Sequence, residues 1–203
     1  MSRPPDFWND RYAEPGFAYG TEPNDFVREQ AVAIPAGRVL CLGEGQGRNA
    51  VFLAERGFVV TAVDQSAVGL EKAAALAIER GTRIDTRVVD LADYTIEPGA
   101  WQAIVSVFIH LPSPLRREVH RGVVAGLAPG GLFVFEAYAP RQRELGTGGP
   151  DDPDRLAPPA TLMAELEGLE FTIAREVERD VVEGRYHTGR AATVQLVARK
   201  RIG

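Results

Sequence analysis

The sequence predicts an α/β domain with a largely parallel sheet covered by helices on both faces. Short apolar runs alternate with helical segments along most of the chain, the pattern of βαβ units. Glycines stand at the strand-to-helix junctions and after the helices, where the chain must turn. The 203 residues, 45% apolar and 25% charged, have the composition of one globular domain. A chain of this length buries roughly 70% of its unfolded surface and needs no disulfide or metal staple.

Each element has a local reason. Residues 38–42 (RVLCL) read as a buried strand, and residues 48–56 as a helix stopped by Gly57. Residues 58–63 (FVVTAV) are a second strand and 66–80 a second helix, favoured by three consecutive alanines and closed by Gly81. Strands are expected at 84–89 and 101–108. Ser113-Pro114 then offers an N-cap and a first-turn proline to a helix reaching about Leu127. Pro129-Gly130-Gly131 should break that helix before a fifth strand at 132–138. Residues 141–160 are rich in Gly, Pro and Asp and read as a long surface loop, expected to be mobile. After a short helix at 161–166, runs at 171–182 and 191–200 flank a turn-rich 183–189 and form an antiparallel pair. Residues 1–35, with Trp8, Tyr12, Phe17, Tyr19 and Phe26, should form a helical cap over a single domain spanning 1–203.

Composition narrows the function. With 23 Lys and Arg against 28 Asp and Glu the net charge is −5, which argues against an extended nucleic-acid surface. The single cysteine, Cys41, can make neither an intrachain disulfide nor a multi-cysteine metal site, so a reducing cytoplasm is the expected location and no metal is expected. No apolar run behind residues 1–6 resembles a signal peptide. No stretch approaches the ~20 apolar residues of a membrane span.

The most informative run is Val39-Leu40-Cys41-Leu42-Gly43-Glu44-Gly45-Gln46-Gly47-Arg48-Asn49. Alternate glycines between a strand and a helix let a ligand approach bare backbone, as in nucleotide sites. Arg48 stands where a dinucleotide fingerprint wants its third glycine, and no Lys-Ser/Thr pair makes a P-loop, so a pyrophosphate ligand fits poorly. A plain tight turn is the alternative. Asp64 ends the second strand, where a carboxylate can accept from the vicinal hydroxyls of a ribose. It could instead cap the next helix, a role for which Ser66 competes. Asp90-Leu91 ends the third strand and could meet an adenine, or simply form a turn. Three such elements at successive strand ends are more specific than any one, because that edge is where open α/β sheets bind ligands.

Together these residues resemble the small bacterial class I, Rossmann-like S-adenosylmethionine-dependent methyltransferases. The runs LGEGQGRNAVFLAERGFVVTAVDQS, YGTEPNDFV and IVSVFIHLP are most similar to the tellurite-resistance branch, which is akin to thiopurine methyltransferases. The resemblance implies a doubly wound, mostly parallel seven-stranded sheet whose last strand is antiparallel. It implies S-adenosylmethionine as cofactor and S-adenosylhomocysteine as product. Gly43, Gly45 and Gly47 would line the methionine and ribose portion, Asp64 the ribose hydroxyls, Gln65 the adenosine edge, Asp90 and Leu91 the adenine. Ser106 would lie beside the cofactor, and Asn49 belongs to the same set. The class usually has an acid where this chain has Cys41, so Glu44 or a backbone carbonyl is left to hold the cofactor's ammonium group. Gln102 replaces a second common acid.

In-line methyl transfer asks chiefly for alignment, which can contribute roughly 7 to 11 kcal/mol. An ionised thiol or chalcogen oxyanion needs no general base, whereas a neutral hydroxyl or amine does. His110, after the fourth strand, is a candidate base or acceptor-orienting group, or a packing histidine. His187, flanked by Arg185 and Arg190, could serve an anionic acceptor or sit on a solvated hairpin tip. His120 is expected to be structural. The class members that methylate bases or glutamine carry an Asn/Asp-Pro-Pro-aromatic tetrad where this chain has Ser106-Val107-Phe108-Ile109, which disfavours those acceptors. The expected partner is a small-molecule acceptor, a thiol or a metalloid oxyanion such as tellurite among the candidates, with no nucleic acid or membrane and a monomeric or homodimeric state. The alternatives are an NAD(P)-dependent oxidoreductase and a non-catalytic S-adenosylmethionine-binding module.

Overall fold

The central strand runs are largely apolar because both of their faces are covered. In the first strand Leu40 and Leu42 join one core layer, while Val39 and Cys41 join the other. The same alternation places Ile104, Phe133 and Phe135 with the first layer and Val105, Leu132 and Val134 with the second.

The computed structural model describes residues 5–202. Its strands are β1 (Arg38–Leu42), β2 (Val59–Asp64), β3 (Asp85–Val88), β4 (Trp101–Val107), β5 (Leu127–Tyr138), β6 (Leu169–Glu183) and β7 (His187–Lys200). They form one sheet in the order β3-β2-β1-β4-β5-β7-β6. Neighbours from β3 to β5 pair in parallel, and β7 is antiparallel to both β5 and β6. The helices are α1 (Pro5–Ala13), α2 (Asp25–Gln30), α3 (Arg48–Glu55), α4 (Ala67–Glu79), α5 (Ser113–Gly126), α6 (Gln142–Leu145) and α7 (Pro159–Glu165). One core layer holds Phe26, Val27, Phe52, Leu53 and Leu70 from α2, α3 and α4; the other holds Val123 from α5, Leu162 from α7 and Leu166 just after it. This is the doubly wound, Rossmann-like arrangement the sequence predicts, with its antiparallel ending.

Four local expectations change. Strand β5 begins at Leu127 rather than at residue 132: Leu127 pairs with Trp101, and Pro129-Gly130-Gly131 is absorbed in a shift of register instead of forming a break. Ser113 is the first residue of α5, not its cap. Pro112 holds the cap position, and the Ser113 amide donates to Asp154 Oδ2 at 2.8 Å, so the helix end is satisfied from a distant loop. The final hairpin is longer than expected, its turn being only residues 184–186, with Glu183 directly opposite His187. Within 141–160 the chain forms α6 and a 3₁₀ turn, Pro153–Arg155. Gln142 is fully buried there, bonded to Thr147, Gly148 and the Ala192 amide.

The order of the sheet fixes where a ligand can enter. The chain steps outward from β1 to β2 and β3, then returns to the other side of β1 with β4. At that reversal the loops after β1 and β4 diverge and leave a crevice at the strand carboxyl ends.

Candidate active site

A cavity of about 370 Å³ opens at this crevice. Its wall takes Gly43 and Glu44 from the loop after β1, Asp64 and Gln65 from the end of β2, Asp90 and Leu91 after β3, and Phe108 and His110 after β4. Tyr138 at the end of β5 and His187 at the start of β7 complete the far side, and Trp8, Tyr12 and Tyr19 of the N-terminal segment form its roof.

The loop after β1 is held by its own backbone. The Glu44 amide donates to the Val63 carbonyl at 3.1 Å, and the Gly45 amide to Asp64 Oδ2 at 2.8 Å. Asp64 Oδ1 accepts the Ser66 amide at 2.8 Å. An ionised carboxylate offers about four lone-pair sites, so each oxygen retains capacity for a hydroxyl donor. Ser66 caps α4 by accepting from Gly69, which removes the competing role from Asp64. Glu44 Oε1 accepts the Asn49 and Ala50 amides, both at 2.8 Å, and so satisfies the start of α3. Burial pushes the Glu44 carboxyl up to about 7, against the pull of those two amides and Arg48. Asn49 Oδ1 accepts the Asn24 amide at 2.9 Å, tying the cap to α3.

The predicted cofactor residues therefore divide. Gly43, Glu44, Asn49, Asp64, Gln65, Asp90 and Leu91 meet at the cavity. Three others serve it from behind. Gly45 lies under the Tyr12 ring, and Ser106, 7% exposed, is within the sheet. Gly47 has φ +90°, and a Cβ there would stand 2.5 Å from that of Ala73, so this glycine lets α3 approach α4. Cys41 is a buried free thiol in the core layer shared with α3 and α4. Its pKa is raised, by burial first and then by Glu44.

The far side of the cavity is aromatic. The His187 ring lies 4.5 Å from Tyr19 and 4.5 Å from Phe108, centroid to centroid, and 5.7 Å from Tyr138. Phe108 has φ +52°, a left-handed conformation that costs a non-glycine residue of order 1–3 kcal/mol. That turn brings its ring against His187. His110 stacks on Tyr138 at 5.4 Å, and its Nε2 accepts the Tyr138 amide at 3.1 Å. His120 is buried against Glu165 at 2.8 Å, away from the cavity, as a structural histidine.

Sequence reasoning missed the charge cluster beneath this wall. Glu136, fully buried in β5, accepts from Arg179, Asn24, Thr193 and Gln195. Glu183 accepts from Arg48 at 2.6 Å, Asn24 at 2.9 Å and Arg179 at 3.1 Å. Burial opposes the Glu183 charge, but His187, Arg48 and Arg179 outweigh it and hold the carboxyl well below the ordinary range. An acid in the middle of the apolar run LFVFEAY was the available signal, since a buried charge requires a partner.

Residues 39–131 match the family model of a methyltransferase domain. That stretch is similar to a methyltransferase domain. Among curated relatives, a 2-heptyl-1-hydroxyquinolin-4(1H)-one methyltransferase of Mycobacteroides abscessus is 31% identical over 50% of this chain and 46% of that protein. A ubiquinone biosynthesis O-methyltransferase of Xanthomonas campestris pv. campestris is 30% identical over 68% of this chain and 58% of its own length. The chain thus spans about half the length of these curated relatives. Among solved structures, TehB of Haemophilus influenzae superposes with TM-score 0.74 at 20% identity, over 97% of this chain and 66% of that one. The N-methyltransferase NodS of Bradyrhizobium japonicum, in complex with S-adenosylhomocysteine, superposes with TM-score 0.69 at 18% identity, over 96% and 97%. At these identities the structures establish the fold, the class I methyltransferase fold.

The residues present fit S-adenosylmethionine, the cofactor that the sequence resemblance implies. Gln65 Oε1 is buried on the cavity wall with no hydrogen-bond partner, an acceptor waiting for a donor such as a nucleoside hydroxyl or amine. Asp64 retains free lone pairs beside it. No helix among the described residues is long and apolar enough to cross a membrane, and no cluster of metal-ligating side chains occurs among them.

Proposed function

We propose that this chain is an S-adenosylmethionine-dependent methyltransferase whose acceptor is a hydroxyl on a small planar molecule. The observation that carries the acceptor class is His187, an imidazole held between Tyr19 and Phe108 on the wall opposite the cofactor residues. Its pKa is lowered, by burial first, so it is neutral at pH 7 and able to take a proton. A thiolate or an oxyanion would need no such group. The O-methyltransferase relatives agree with this choice.

The residues then divide the work. Asp64 would hold the ribose hydroxyls, Gln65 an adenosine donor, Asp90 and Leu91 the adenine, and Glu44 the ammonium group. When bound, the cofactor would supply an activated methyl group on a sulfonium to the acceptor oxygen. His187 would accept the hydroxyl proton and pass it to solvent. With Nε2 engaged by the Tyr138 amide, His110 would orient the acceptor rather than serve as base. Tyr19, Phe108 and Tyr138 offer ring faces to a flat acceptor and exclude water.

The test is release of S-adenosylhomocysteine with a panel of phenols, hydroxyquinolones, thiols, selenite and tellurite. Turnover is expected on a ring hydroxyl. Turnover confined to thiols or tellurite would refute the hydroxyl reading, and cofactor binding without turnover on any acceptor would favour a binding module.

A further inference from the structure

We propose that Glu183 is a positioning residue for the acceptor site, its fixed carboxylate holding the proton of His187 on Nδ1 and leaving Nε2 as the base. The proposal extends the methyl-transfer reading above, but its structural part stands without it.

Three observations carry it. First, Glu183 and His187 are the closing pair of the β6–β7 hairpin, set opposite each other by a three-residue turn. That turn needs Gly184, whose φ is +66° and where a Cβ would lie 2.5 Å from both the Ala18 carbonyl and the Gly20 amide. Second, His187 Nδ1 is buried with no hydrogen-bond partner, yet lies 3.6 Å from Glu183 Oε2. That separation is a few tenths of an ångström beyond a hydrogen bond, and such contacts tighten when a site fills. Third, Glu183 cannot swing away. Arg48 fixes Oε2, while Asn24 and Arg179 fix Oε1, so three segments of the chain converge on one 7% exposed acid.

The chemistry follows from the ring. A neutral imidazole has one protonated and one unprotonated nitrogen, and the partner of one decides the state of the other. A carboxylate accepts only, so the nitrogen facing Glu183 carries the proton. The other nitrogen is left with its lone pair. The other titratable or charged groups around His187 are Tyr19 from the N-terminal segment, Tyr138 from β5, Arg48 from α3 and Arg179 from β6. Burial pushes the Tyr138 phenol up to about 12, so it is neutral at pH 7, and the two arginines disfavour the imidazolium. Glu183 is the group that favours it.

Imidazole nitrogen NMR on the full chain tests this. There are three histidines, so His187→Gln assigns the signal. The expected wild-type result at pH 7 is the Nδ1-protonated tautomer, and in Glu183→Gln the His187 midpoint should fall by about one pH unit as the neighbouring charge is lost. An Nε2-protonated ring in the wild type, or an unchanged midpoint in Glu183→Gln, overturns the proposal; the wild-type tautomer decides even if the variant does not fold. On any acceptor that turns over, the acid limb of kcat/KM in Glu183→Gln should move to lower pH by the same amount, and an unmoved limb counts against it. Absence of turnover on every acceptor would sink the methyl-transfer reading and leave the NMR result to decide the role of Glu183.

Discussion

Replacing Asp64 with alanine separates two roles that one carboxylate combines. In the folded chain its two oxygens accept the Gly45 and Ser66 amides, each at 2.8 Å, and the residue is 6% exposed. Each amide left without an acceptor costs about 1–3 kcal/mol, so the two together should lower stability by about 2–6 kcal/mol. Loss of the ribose acceptor should weaken cofactor binding by about 1–3 kcal/mol, a five- to 150-fold rise in Kd. Urea unfolding reads the first quantity. Calorimetric titration of the folded variant with S-adenosylhomocysteine reads the second. Asp64→Asn, which keeps one acceptor, should fall between wild type and Asp64→Ala in stability. A folded Asp64→Ala protein with a Kd within twofold of wild type would refute the ribose assignment, and a stability loss under about 1 kcal/mol would refute the loop latch.

Further outcomes follow from the same geometry. Glu44 titrates near 7 when folded, above its unfolded value, so its stabilising contribution is full below the unfolded pKa and fades as pH rises through about 7. Glu44→Gln should remove that slope, as measured by thermal unfolding across pH 4 to 8, a range spanning roughly both pKa values. If Glu44 holds the ammonium group, binding at pH 7 should release a fraction of a proton, visible as a heat that varies with the ionisation enthalpy of the buffer. His110→Ala should slow turnover and leave cofactor affinity unchanged, while stripping the acceptor from the buried Tyr138 amide at a cost of about 1–3 kcal/mol. Gly47→Ala places a methyl 2.5 Å from the Ala73 Cβ at φ +90°, and chemical denaturation should show a loss of about 2–6 kcal/mol.

The half of the cavity built by the glycine loop and the ends of β2 and β3 was legible in the sequence because it is local. Glycines and acids at strand ends follow from the alternation of apolar runs and turns, and Asp64, Gln65 and Asp90 all reach the wall. The aromatic half depends on pairings between distant segments. Glu183 was read as part of a loose turn, since nothing in residues 183–189 alone reveals that Glu183 and His187 stand opposite one another. Glu136 meets Arg179 and Asn24 only once the sheet and the N-terminal segment have docked. Capping of α5 by Asp154 has the same origin, because an acceptor from a remote loop leaves no periodic trace.

The seam between these halves bears on kinship. The stretch that matches the methyltransferase family, 39–131, holds the glycine loop and the acids at the ends of β2 and β3, but Tyr19, Tyr138, Glu183 and His187 lie outside it. Similarity visible in the middle of the chain therefore says little about the wall that Tyr19, Tyr138, Glu183 and His187 build. On the proposed reading, new acceptor preferences can arise by rewriting the two flanks while the glycine loop and the strand-end acids stay as they are.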